Sequence, residues 1–82
     1  MHTESLYAIM RSDQQLVCWK GSKGIPFMSP SRHLVESTLV DADVIDSVQD
    51  GEIIQVWVLN VDDKVIITYN NTILSVLVPS GT

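Results

Sequence analysis

Apolar and polar positions alternate most regularly between Glu52 and Val78 (EIIQVWVLNVDDKVIITYNNTILSVLV). The alternation breaks at Asn60-Val61-Asp62-Asp63 and again at Asn70-Asn71. Three strands are predicted, Ile53–Leu59, Lys64–Tyr69 and Ile73–Val78, each rich in the β-branched and aromatic side chains that suit a pleated surface. Asn and Asp suit the breaks because they tolerate left-handed backbone and bond to their own turns. The three runs therefore read as an antiparallel meander.

Side chains alternate between the two faces of a sheet, so the turns set which residues meet. A two-residue turn at Asn70-Asn71 puts Ile67 opposite Leu74 and Val65 opposite Val76. A four-residue loop at 60–63 puts Val58 opposite Val65 and Val56 opposite Ile67. One face then gathers Ile54, Val56, Val58, Val65, Ile67, Tyr69, Leu74, Val76 and Val78, a core face. The other gathers Ile53, Gln55, Trp57, Leu59, Lys64, Ile66, Thr68, Ile73, Ser75 and Leu77, with Gln55 beside Thr68 and Ile66 beside Ser75. A solvated face of an antiparallel sheet is mainly polar, and this one is not. It calls for a cover, from this chain or from another molecule.

Upstream, ESLYAIM (4–10) and QLVCWK (15–20) read as a second hairpin around Arg11-Ser12-Asp13-Gln14. Gly21-Ser22-Lys23-Gly24 reads as a turn, since the spacing of a phosphate-binding loop is absent. Ile25-Pro26-Phe27-Met28 is a short extended piece that its proline keeps out of a central strand. Ser29-Pro30 reads as a helix start, followed by Leu34, Val35, Thr38 and Leu39 at helical spacing and by an Arg32–Glu36 pair. The β-branched content leaves a strand over 34–40 as the alternative. A second helical turn is predicted from Asp41, with Asp43 in its first turn, Val44, Ile45 and Val48 as its stripe, and Gly51 as its stop. The whole is one domain over residues 1–82, α+β and mainly β. It has about five antiparallel strands, an N-terminal hairpin plus a C-terminal three-stranded meander, with one or two short helices between them. Either a small half-open barrel or a sheet with a helix on one face satisfies this. The helical segment has enough apolar residues to shield one sheet face and not two. Trp57, Gln55, Ile66, Thr68, Ser75 and Leu77 are therefore the expected interface, most simply that of a homodimer.

Charge changes this picture in one respect. The 82 residues carry a formal net charge of −5, and residues 33–82 hold eight carboxylates against Lys64 alone. No basic stripe exists for a phosphate backbone, so direct nucleic-acid binding is not expected. One cysteine, Cys18, excludes an intrachain disulfide and reads as a small buried hydrophobe. The amino terminus lacks a basic segment followed by an apolar run, and no apolar stretch approaches a membrane span, so a cytoplasmic location is expected.

Candidate chemistry is sparse. Asp41, Asp43, Asp46, Asp50 and Glu52 form the densest cluster of functional groups. As a calcium loop it fails, because Ile45 falls where an oxygen ligand belongs and Asp46 where the turn needs glycine. As structure, Asp41 and Asp43 complement a helix N-terminus and Asp50-Gly51 is a turn. As function, the five carboxylates imitate a phosphate array and face a basic cleft on a partner. His33 beside Ser29, Ser31 and Ser37 does not make a nucleophile and base, and two histidines and one cysteine lack zinc spacing. No catalytic residue, metal or cofactor is expected. Trp19 is expected in the core, and Trp57 at an interface or in the core. The functional expectation is a non-enzymatic acidic module that binds a basic, nucleic-acid-handling protein, of the inhibitor, immunity or antitoxin kind and of the sort viruses encode. The alternative is a structural subunit that assembles through its mixed sheet face. A third possibility is a small-ligand binder with its pocket between sheet and helix.

Overall fold

The structure, a computed structural model, describes residues 2–22, 24–40, 43–45 and 50–78. In chain order the elements are β1 (His2–Met10), β2 (Met28–Ser29), α1 (Arg32–Thr38), β3 (Glu52–Val61), β4 (Lys64–Tyr69) and β5 (Thr72–Leu77). The five strands form one antiparallel sheet in the order β2-β1-β3-β4-β5, not closed into a barrel. This is the mainly-β α+β fold that the alternation implies. The longest pairing is between β1 and β3, from His2 opposite Asn60 to Met10 opposite Glu52.

The meander forms with a different register. Asp62 and Asp63 both have positive φ, 51° and 63°, and so do Asn70 and Asn71, at 50° and 61°. Both connections are thus two-residue hairpin turns whose twist matches that of the strands. The loop predicted at 60–63 is shorter, because β3 runs on through Asn60-Val61. Val58 therefore meets Ile67, not Val65, and Trp57 rather than Gln55 meets Thr68. The slip is two residues, so each side chain stays on its predicted face.

β5 departs further. From the turn it starts in the expected register, with Tyr69 opposite Thr72 and Thr68 opposite Ile73. A bulge then inserts Leu74, after which Ile67 meets Ser75, Ile66 meets Val76 and Val65 meets Leu77. One extra residue exchanges the faces of everything beyond it. Leu77 joins the inner core, while Val76 and Val78, expected there, are exposed.

The N-terminal hairpin begins as predicted and then diverges. Arg11 N–H donates to Gln15 O at 2.8 Å, and Gln14 takes the left-handed conformation. Residues 15–20 do not continue as a strand beside β1. Val17 N–H reaches Ile9 O, but Trp19 N–H donates to Ile25 O and Phe27 N–H to Val17 O. Gly21 and Gly24, at φ 81° and 85°, turn the chain back so that 17–19 pair with 25–27. The neighbour of β1 is instead β2, with Ala8 opposite Met28.

Helix α1 starts two residues later than Ser29-Pro30 suggests. Ser31 is the N-cap, its Oγ accepting from Leu34 N–H, while Ser29 ends β2 and its Oγ accepts from Ser31 N–H. The Arg32–Glu36 pair forms at 3.2 Å. In the predicted second helix, Asp41, Ala42 and residues 46–49 lie outside the described residues. Of the rest, Asp43 and Val44 are in a turn and Ile45 is bridged to Trp19, so residues 43–45 are not helical. Ile45 is buried as expected, but in a β-bridge. No helix among the described residues is long and apolar enough to cross a membrane.

Two cores result, one on each face of the sheet. The inner one holds Ala8, Ile54, Val56, Val58 and Ile67, with Leu16 buried against them. The outer one holds Ile9, Val17, Phe27, Val35 and Ile45, with Tyr7, Leu39 and Ile53 packed alongside. Val35 of the helix packs here against Ile9, Val17, Phe27 and Ile45.

Candidate functional site

The register places apolar side chains in two rows across the outer face. Trp57 lies beside Ser5 on β1 and Thr68 on β4, and Thr68 lies beside Ile73 on β5. In the second row Leu59 meets Thr3 and Ile66, and Ile66 meets Val76. Trp57 is 48 % exposed, Ile73 60 % and Val76 48 %, whereas Leu59, Ile66 and Thr68 are half-buried by their neighbours. Helix α1 touches only β1, β2 and β3. A helix of seven residues is about 10 Å long, and five strands span about 19 Å, so α1 cannot roof the whole face. Beyond its reach Trp57, Ile73 and Val76 stay exposed.

Of the residues expected at the interface, Trp57, Gln55, Ile66 and Thr68 lie on this face. Gln55 is exposed, and its Nε2 donates to Ser5 Oγ across the β1–β3 pair. Ser75 and Leu77 do not belong to it. The bulge turns them inward, opposite Ile67 and Val65, and brings Val76 out beside Ile66, while Ile73, ahead of the bulge, stays on this face as expected. Alternation identifies the strip, but it cannot locate an inserted residue.

The acidic group is only partly described. Asp41 and Asp46 lie outside the described residues; Asp43, Asp50 and Glu52 are exposed. Glu52 pairs with Met10 and alternates onto the inner side, opposite to Trp57. The nearest acidic groups along β3 are thus Asp50 before its start and Asp62-Asp63 at its far turn. Each stands roughly 17–24 Å of strand from Trp57. Carboxylates therefore bracket the apolar strip at both ends.

The other candidates have local roles. The hydroxyls of Ser29 and Ser31 accept from backbone N–H groups, and Ser37 Oγ donates to the carbonyls of His33 and Leu34. Trp19 is half-exposed, its ring edge-on to the buried Phe27 at a centroid distance of 4.8 Å. Cys18 is half-buried, its Sγ 3.7 Å from Leu16 O. Among the described residues no three His, Cys, Asp or Glu side chains gather as a metal site requires.

Comparison with protein-family models, with curated proteins and with solved structures finds no match to this chain.

Proposed function

We propose that the chain is a small non-enzymatic binding module that seats a basic protein partner on the bare rows of its outer sheet face. Its mode of action is that of an inhibitor, immunity protein or antitoxin. The observation that carries this reading is Trp57, half-exposed in an apolar strip that no helix or strand among the described residues covers. Large aromatic side chains in that setting are the usual anchors of interfaces.

Size and charge select the partner. The strip covers on the order of 200–300 Å² by strand spacing, against about 800 Å² per partner in a stable complex. A circular contact of that area has a radius of about 16 Å, so its rim approaches both acidic ends of β3. A second copy placed face to face sets Asp50 or Asp62-Asp63 against carboxylates. A partner with an apolar centre and a basic rim complements both.

The test is a basic protein captured by the chain and then titrated against variants. Trp57→Ala is expected to weaken that complex by about 2 kcal/mol, roughly 30-fold. Affinity should fall steeply with salt, and Asp62→Lys/Asp63→Lys or Asp43→Lys/Asp46→Lys should flatten that dependence. A complex indifferent to Trp57→Ala overturns the reading. The homo-oligomeric alternative, assembly through the same strip, predicts the opposite salt response: self-association that strengthens as like charges are screened.

A further inference from the structure

β5 is the edge of the sheet, with β4 on one side only. From Thr72 to Leu77 it contains no lysine and no proline, the devices that usually blunt an exposed edge. Facing it is the irregular arm of residues 15–26. Three hollows open to solvent succeed one another along the strand. The first, about 180 Å³, lies by Thr72 and Leu74 and is walled by Met10, Gln14 and Tyr69. The second, about 230 Å³, lies between Leu74-Ser75 and Leu16, Cys18 and Pro26. The third, about 350 Å³, lies between Val76–Val78 and Ile25. Taken together as a groove along β5, they are lined by no charged side chain among the described residues.

We propose that this groove binds one extended, uncharged, apolar peptide segment of a partner protein, which adds to β5 as a further antiparallel or parallel strand. An edge strand offers a row of backbone donors and acceptors that an extended backbone satisfies, and the hollows take alternate side chains. A charged side chain in this neutral lining loses water without gaining a counter-charge, so the segment is uncharged. The segment needs both of its own edges clear, one for β5 and one for the arm. β5 of a second copy has one edge already occupied by β4, which excludes it from the slot. The groove meets the strip around Trp57 only at Val76, and Trp57 itself lies on β3, two strands from β5, so either surface can fail without the other.

The probe is a capped peptide of alternating valine and threonine, as long as β5, titrated into the intact chain. It is expected to shift the backbone amide signals of 72–77 and to slow alkylation of Cys18, the only cysteine, which lines the middle hollow. The same peptide with a central proline, which lacks an N–H, should bind at least about tenfold more weakly, as should one carrying lysines. Ile25→Asp, at a position 54 % exposed and so compatible with folding, should weaken binding to a similar degree. Trp57→Ala should leave it unchanged. No binding of the neutral peptide, equal binding of the proline peptide, or loss of binding in Trp57→Ala overturns the proposal. So does a dimer of the chain alone whose amides 72–77 are protected by the partner copy.

Discussion

The outer face of the sheet has two ends built from the same kinds of residue and treated differently by the fold. At one end Tyr7, Ile9 and Ile53 lie under Val17, Phe27, Val35 and Ile45, and Ile9 is fully buried. At the other, Trp57, Ile73 and Val76 face solvent. Strand propensity and hydrophobicity do not distinguish the two ends. Only reach does: the short helix touches β1, β2 and β3 but neither β4 nor β5. An apolar residue on a two-sided sheet is thus core or contact surface according to what the rest of the chain can cover.

The largest effects test that contrast directly. Ile9→Ala should cost about 3 kcal/mol of stability by denaturant unfolding, since it opens a cavity under the helix. Trp57→Ala should cost about 1 kcal/mol or less, its effect appearing in partner binding. Equal losses of stability in the two variants would mean that the bare end is not bare.

The next test concerns the bulge that composes the bare end. Leu77→Asp, which puts a carboxylate against the inner core, should destabilise the chain by about 1 kcal/mol more than Val76→Asp does. A regular β4–β5 register would reverse that order. The smallest effect should come from the turn. Asn71→Gly relieves a left-handed residue at φ 61° and should add about 0.5 kcal/mol. Hydrogen exchange should register it in the amides of β4 and β5, with little change at Ile9.

Much of the candidate surface was legible before any coordinates. The alternation of β3 and β4 assigns Val56, Val58 and Ile67 to one face and Trp57 and Ile66 to the other. Asn70-Asn71 marks its turn, and Asp62-Asp63 lies inside the loop expected at 60–63. Arg32 and Glu36 announce a helix. These are local signals, each carried by residues within a few positions of one another, and that is why they survive without a fold.

What the tertiary structure decided lies in contacts between residues far apart in the chain. The pairing of β1 with β3 joins positions about fifty residues apart and leaves no periodic trace. The glycines at 21 and 24 are visible, but not that they would fold 17–19 onto 25–27 and hand the place beside β1 to Met28. The bulge at Leu74 follows no pattern in TILSVL, which reads equally well without it. An inserted residue is settled by how the edge strand packs, with Leu74 against the inner core. That single residue moves Leu77 inside and Val76 out.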